Sequence, residues 1–267
     1  MTSPEFFKKL SIANVAYAAL LLTLSPGHAE RIEVSWEDAG AAIRSGRDSE
    51  RRVQIIPGGA QGIQLVDQHS NPPSPFVGQV PALFVQSTET DSFWFRLSFR
   101  PFEDSRVLQG VVEFNLRPVE GSVAVQAGSQ TEPWDPLSDN NYKIINSAFS
   151  ISLTPGLEAT AAGKPLETDS ITMIESGRDY RLTIKWDLEG GTPMVRLFLN
   201  GEPVRVRGQS GPLNLKFAAD PADGTNAFRI SLGSSENKLG KVFIGPIVAA
   251  SGSKPDMEQA EDPLLKP

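Results

Sequence analysis

The clearest strand pattern in the sequence runs from Asp179 to Val204 and reads DYRLTIKWDLEGGTPMVRLFLNGEPV. Apolar and polar residues alternate in residues 180–186 and again in residues 194–199, the pattern of strands that are buried on one face. Gly190-Gly191 separates the two segments and Asn200-Gly201 follows the second, and both pairs favour tight turns. The stretch predicts an antiparallel hairpin in a half-buried sheet. Its predicted polar face carries Arg181, Thr183, Lys185 and Asp187.

The same alternation recurs along most of the chain, with frequent Gly and Pro between the segments. On the order of ten to fourteen short strands are predicted, and a sheet of that size usually splits into two packed layers. We therefore expect an all-β fold, a two-layer antiparallel jelly-roll sandwich. Further strands are predicted from residue 53, at 62–66, from 83, and at 93–99, 111–117, 122–126, 149–153, 213–217, 228–232 and 242–249, with Pro118, Pro155 and Pro212 at strand ends.

Four regions are predicted. Residues 1–29 resemble a signal peptide, because Lys8 and Lys9 precede a short apolar run and Gly27 and Ala29 occupy small-residue cleavage positions. An uncleaved anchor is the alternative. Residues 30–52 are expected to form an N-terminal arm or short helix, residues 53–250 the sandwich, and residues 251–267 a disordered tail. The protein is accordingly expected to be secreted or periplasmic, without a membrane span once the signal is removed.

The composition limits the kinds of partner that are expected. The chain has no cysteine, so an exported form would need a core large enough to be stable without disulfides. Its net charge is −7. Nucleic acid is therefore not expected as a partner, because phosphate recognition relies on clustered Lys and Arg.

Several short segments resemble laminin G-like domains of the concanavalin A-like lectin and glucanase superfamily. They are FWFRLSFRP at 93–101, KWD at 185–187, LFLNG at 197–201, FRISLGSS at 228–235 and GKVFIGPIV at 240–248. The resemblance spans about residues 61–250 and implies a β-sandwich that is used mostly for binding.

Laminarinase-type glycoside hydrolases of this superfamily carry an E-x-D-x-x-E strand, which places two carboxylates on one sheet face. The most similar strand here has Glu113, followed on the same face by Asn115 and Arg117. One carboxylate cannot supply both groups, so no catalytic residue is predicted. A divergent polysaccharide hydrolase or lyase remains the enzyme alternative. For a lyase, the candidate bases are His69, Tyr142 and Tyr180, with Arg96, Arg100 and Arg117 as cations.

No cofactor is predicted. Calcium is an alternative because related domains bind it through loop oxygens, although neither acidic loop follows the EF-hand pattern. These loops contain Asp135, Asp139, Asn140, Asp220 and Asp223.

Two places combine aromatic residues with hydrogen-bonding groups, as carbohydrate sites do. One is the loop 132–142, with Trp134, Asp135, Asn140 and Tyr142; the other is a polar strand face, with Trp94, Arg96, Glu113 and Asn115. The sequence thus favours an exported non-catalytic module that recognises a carbohydrate or protein ligand. A structural or adhesion module is a further alternative, and an Arg–Glu ion pair between neighbouring strands would explain the second place without a ligand.

Overall fold

The computed structural model describes residues 30–36, 47–48, 53–56, 62–76, 81–87, 94–99, 102, 107–129, 145–155, 160–161, 164–165, 174–189, 193–205, 211–213, 224–225, 227–233, 240–261 and 265. Among these residues there is no helix of the length and apolarity that crossing a membrane requires. They form the strands β1 (Glu30–Val34), β2 (Arg47–Asp48), β3 (Val53–Ile56), β4 (Gly62–Val66), β5 (Ala82–Gln86), β6 (Trp94–Phe99), β7 (Gln109–Glu120), β8 (Ser122–Ser129), β9 (Ile145–Leu153), β10 (Thr160–Ala161), β11 (Lys164–Pro165), β12 (Tyr180–Asp187), β13 (Met194–Leu199), β14 (Glu202–Pro203), β15 (Ala227–Gly233) and β16 (Lys241–Ser251).

Two sheets account for all of these strands. Sheet A has the order β14-β13-β12-β7-β16-β5-β4, and β1 also pairs with β16. Sheet B has the order β11-β10-β9-β8-β15-β6-β3-β2. The chain alternates between the sheets, and the paired strands run antiparallel. The predicted all-β, two-layer antiparallel jelly-roll sandwich is confirmed, and it is the architecture that the concanavalin A-like resemblance implies.

Aromatic rings join the two sheets at the centre of the core. Phe99 and Phe228 of sheet B stack with ring centroids 5.2 Å apart. Phe228 lies 5.7 Å from Trp186 of sheet A, and Phe99 lies 6.4 Å from Phe114 of the same sheet. The buried Trp186 indole also donates through Nε1 to the Val107 carbonyl oxygen at 3.0 Å. This one ring therefore combines apolar packing with a satisfied polar group.

The hairpin predicted from residues 179–204 is formed by β12 and β13. Leu182 pairs with Leu199 and Trp186 pairs with Val195, so their apolar faces point into the same core. After β13, Asn200 and Gly201 adopt φ values of 54° and 88°, as a tight turn of the Asn-Gly type requires. The Arg181 N–H donates to Asn200 Oδ1 at 2.7 Å, which fixes the turn against β12. The Gly190-Gly191 turn lies outside the described residues.

The start of the N-terminal region differs from the prediction. Residues 30–34 form strand β1, which pairs with the end of β16 from Glu30–Ser251 to Val34–Ile247. Val34 and Trp36 are buried in the core. The arm or short helix predicted for 30–52 is therefore wrong for residues 30–34. Two apolar side chains at alternate positions suffice for a strand here, because β16 provides the neighbouring strand with which it pairs. Residues 37–46 lie outside the described part.

The end of the chain also differs. Ser251 belongs to β16, and residues 252–261, here called the C-terminal strap, lie against sheet A. Pro255 and Met257 are buried. The disorder predicted from Ser251 onward is thus wrong for residues 251–261, because a buried Lys185 ammonium holds the carbonyl oxygens of the strap.

The position predicted for Pro118 needs correction. Pro118 lies inside β7 rather than at its end, opposite Val242, where the register with β16 shifts. Such a bulge tolerates a residue that cannot donate to the ladder. Of the strand predicted at 213–217, Leu213 lies outside the strands, next to the isolated bridge between Arg205 and Pro212, and residues 214–217 lie outside the described part.

Candidate functional site

The polar strand face predicted from the sequence is divided between the two sheets. Strand β6, with Trp94 and Arg96, pairs with β3 and β15 in sheet B. Strand β7, with Glu113 and Asn115, pairs with β12 and β16 in sheet A. The predicted grouping of these four residues on one face is therefore wrong, and so is the Arg–Glu ion pair between β6 and β7.

Glu113 lies instead beside the polar face of the β12–β13 hairpin. Thr183 Oγ1 donates to Glu113 Oε2 at 2.7 Å, and Arg181 Nε lies 3.9 Å from the same oxygen. The Glu113 side chain is 26% exposed and that of Arg181 is 39% exposed, whereas Thr183 is buried. The buried hydroxyl thus orients a carboxylate that solvent still reaches.

A second charged pair continues this face along β7. Arg117 Nε and Nη2 donate to the two carboxylate oxygens of Asp179, at 2.5 Å and 2.7 Å. Such a forked pair fixes the plane of the guanidinium. Asn115 lies between Glu113 and Arg117 on the same face, in register with Arg181. We call the set Glu113, Asn115, Arg117, Arg181 and Thr183 the outer polar band.

The band lies between two covered parts of sheet A. Arg117 is in register with Phe243, which packs with Phe76 and Phe84 in a small apolar cluster on the outer face. In the other direction along β7, Val111 is in register with Lys185, over which the C-terminal strap lies. Among the described residues, the band is therefore a partly exposed polar stretch with the apolar cluster on one side and the strap on the other.

The acids on this face lie farther apart than the carboxyl pair of a retaining hydrolase. In the strand register the nearest described acid to Glu113 is Glu33, two strands away across Val248. Two strand spacings are about 9.4–9.8 Å, whereas retaining hydrolases hold their carboxyl groups at roughly 5–5.5 Å and inverting ones at roughly 6.5–9.5 Å. The Glu113 carboxylate moreover already accepts a hydrogen bond from Thr183.

Asp187 serves the structure at the far end of β12. Its carboxylate accepts from Gln109 Nε2 at 3.0 Å and lies 3.0 Å from Lys254 Nζ. Burial by itself would raise the pKa of Asp187, but the bonds from Gln109 and Lys254 outweigh it and lower the pKa below its usual value. Asp187 therefore anchors the first residues of the strap.

The lyase candidates do not assemble. Tyr180 is fully buried in the core, its oxygen accepts the Glu175 N–H at 2.8 Å, and burial raises the pKa of its phenol. Tyr180 as a base on the protein surface is therefore wrong. His69 is exposed in a loop, where its backbone N–H donates to Asp67 Oδ1 at 2.8 Å. Arg96 and Arg117 lie in different sheets.

Several predicted residues lie outside the described part. They include both acidic loops proposed for calcium and the aromatic loop, that is Arg100, Trp134, Asp135, Asp139, Asn140, Tyr142, Asp220 and Asp223. Within the part that is described, no group of three or more His, Asp or Glu side chains is arranged to hold a metal ion. Calcium and the aromatic loop therefore stay predictions.

The contribution of β12 to the site does not follow from the sequence pattern. Arg181 and Thr183 were assigned to a polar strand face but not to Glu113, which is 70 residues from Thr183 along the chain. The alternation of β12 places their side chains on the outer face, yet alternation does not tell which strand is the neighbour. Asp179 gave no signal, since it precedes the strand.

Comparison with known proteins gives structural likenesses alone. No protein-family model matches the sequence, and no curated protein matches it. A sialidase is 11% identical with a TM-score of 0.47, and the match covers 85% of this chain but 19% of that one. The carbohydrate recognition domain of Emp47p is 12% identical with a TM-score of 0.38, covering 78% and 92%. A protein of unknown function from Shewanella oneidensis MR-1 is 14% identical with a TM-score of 0.46, covering 94% and 95%. Because these TM-scores are below 0.5, the fold assignment rests on the strand pairing of this chain.

Proposed function

We propose that this protein is an exported, non-catalytic binding module and that the outer polar band holds a carbohydrate ligand. The observation that carries the proposal is the arrangement around Glu113. A partly exposed carboxylate is oriented by a buried Thr183 hydroxyl and lies beside the Arg181 guanidinium. Sugar hydroxyls both donate and accept hydrogen bonds, so they are matched by neighbouring fixed acceptors and donors.

Rigid placement supports the same proposal. Glu113, Asn115 and Arg117 lie on β7, which has a paired strand on each side. Arg117 is further fixed by the fork with Asp179. Groups that are already ordered lose little conformational entropy on binding, so more of the interaction energy appears as affinity.

The aromatic part of the site is proposed to come from the loop 132–142, through Trp134 and Tyr142, with Asp135 and Asn140 as further hydrogen-bonding groups. A ring stacked on the apolar face of a sugar would complement the polar band. Trp94 and Arg96, which belong to sheet B, are proposed as a separate contact. Export is proposed from the signal-like residues 1–29.

A glycan-panel binding assay on the full chain tests this function, run with calcium and with a chelator. Each well is also analysed for shortened polymer. Saturable binding without cleavage is the expected result, and binding that requires calcium would direct attention to the acidic loops. A folded protein that binds none of the glycans would contradict the proposal and favour a protein ligand or an adhesion role.

Cleavage of a polymer would contradict the non-catalytic part of the proposal. Glu33 and Glu113 would then be the first acids to replace, because they lie across two strands on one face. Glu33→Gln and Glu113→Gln should each abolish cleavage if these carboxyl groups carry it. Cleavage that survives both changes would place catalysis elsewhere.

A further inference from the structure

Two cations stand directly opposite each other next to the outer polar band. Lys185 of β12 and Arg196 of β13 are register partners, two residues along the strand from Thr183. Lys185 is fully buried and its Nζ lies 5.5 Å from the centroid of the Phe198 ring. Like charges at directly opposed strand positions destabilise a sheet. Such a pair therefore needs oxygen acceptors that it can share.

The chain itself supplies those acceptors to Lys185. Nζ donates to the carbonyl oxygen of Asp256 at 2.8 Å and to that of Gln259 at 2.6 Å. Both carbonyls belong to the C-terminal strap, whose described residues also include the acids Glu258 and Glu261. Backbone carbonyl oxygens of this segment thus cover the Lys185 ammonium.

Arg196 keeps unused hydrogen-bonding capacity. Its Nη1 donates to the Pro212 carbonyl oxygen at 3.3 Å, and its Nη2 lies 3.9 Å from Met194 Sδ. Its Nε is buried, and no described residue accepts a hydrogen bond from it. A guanidinium with a buried free donor is able to receive a carboxylate in a fork.

The contacts that hold the strap include apolar packing and an ion pair. The strap begins directly after β16. Its described buried apolar residues are Pro255 and Met257. Lys254 pairs with Asp187 but is itself 67% exposed. The Asp187 carboxylate of this pair is 4% exposed, whereas solvent reaches its Lys254 partner. An anionic ligand that binds Lys185 more strongly than the strap does would therefore displace it.

We infer that Lys185 and Arg196 form a subsite for the carboxylate of an acidic sugar, and that the C-terminal strap covers this subsite until such a ligand displaces it. The inference rests on the proposed function, because the subsite continues the outer polar band and so names its ligand as a carboxylate-bearing glycan. The strap then acts as a built-in competitor that lowers the apparent affinity.

Two full-length variants separate the cover from the site. Met257→Ser removes the buried apolar contact of the strap and leaves both cations. Lys185→Met removes the ammonium that holds the strap and also destroys the subsite. Both should raise the rate of cleavage after Glu258 by a protease specific for glutamate, which reports release of the strap. Arg196→Gln, introduced together with Met257→Ser, replaces Lys185→Met if the latter does not fold.

Binding is then measured with polygalacturonate, neutral dextran and polyglutamate as probes. We expect Met257→Ser to bind polygalacturonate at least tenfold more tightly than the wild type, with no gain in Lys185→Met and none for dextran. Unchanged affinity despite a released strap, or no increase in cleavage, would overturn the inference. Polyglutamate bound as tightly as polygalacturonate would overturn it in favour of a peptide partner. The wild-type glycan panel decides the proposed function separately, because it requires no release of the strap.

Discussion

The packing of Trp186 against β7 can be tested with a single methyl group. Gly110 is the register partner of Trp186. A Cβ at residue 110 would overlap Trp186 Cζ2, lie 2.9 Å from Cη2 of the same ring and lie 2.7 Å from the Ala250 carbonyl oxygen. One neighbour is a buried indole and the other is strand backbone, so neither can move away easily. Gly110→Ala is therefore expected to be strongly destabilising.

The cost has two parts. Forcing an extra carbon into a packed core costs about 1–3 kcal/mol. Moving the indole also endangers its 3.0 Å bond to the Val107 carbonyl oxygen, whose net loss costs about 1 kcal/mol. The expected loss is thus about 2–4 kcal/mol in the free energy of unfolding, or roughly 4–16 °C in Tm for a domain of this size.

Urea denaturation and thermal melts of the wild type, Gly110→Ala and Gly211→Ala measure this effect. Gly211 is the matched control, since a Cβ there has no heavy atom within 4 Å. Its Tm should stay within about 2 °C of the wild-type value, as is usual for surface changes. A Gly110→Ala protein as stable as the control would refute the described packing of β7 against β12.

Three further predictions concern the Asn200-Gly201 turn, the loss of stability at low pH and the aromatic loop 132–142. Asn200→Ala should lose about 1–3 kcal/mol in urea denaturation, because alanine is strained at a φ of 54° and cannot accept the Arg181 N–H; Asn200→Gly, which relieves the strain, should lose less, and equal losses would contradict this reasoning. The pKa of Asp187 is lowered from 3.8, so its stabilisation is present above that value and is lost as pH falls through the folded pKa. The stability difference between the wild type and Asp187→Asn should accordingly be largest above about pH 5 and shrink towards pH 3; a difference that is constant over this range would disprove the role of the carboxylate. Trp134→Ala should weaken glycan binding by about tenfold, which is about 1.4 kcal/mol, with Tm unchanged; full affinity would remove the aromatic loop from the proposed site.

Local alternation is sufficient to predict most strands and the face of each that points into the core, but the outer face of β12 is also buried at Thr183, Lys185 and Asp187. Leu182 and Trp186 point into the core as the pattern of β12 requires, and Asn200-Gly201 forms the turn that its chemistry favours. These features depend on neighbouring residues, so they can be read from one segment of sequence. The two-layer fold followed from the number of such segments.

Partner strands could not be predicted in the same way. The contact between Thr183 and Glu113 joins residues 70 positions apart, and neither strand carries a signal for the other. Burial of the strap likewise depends on Lys185, which is far from Asp256 in sequence. A polar segment reads as disordered when the buried cation that binds its carbonyl oxygens is not known.

Glycan binding by the outer polar band can be tested with the affinity of the Glu113→Gln variant. Glutamine keeps the acceptor for Thr183 but removes the charge. Glu120→Gln is the control, because Glu120 lies on the same strand and pairs with Lys241 at 3.0 Å outside the band. For a glycan that the panel identifies, we expect Glu113→Gln to bind at least tenfold more weakly, since hydrogen bonds to a charged group contribute about 1.5–3 kcal/mol, and Glu120→Gln to bind as the wild type does. Equal affinities of the two variants would contradict a binding role for the band.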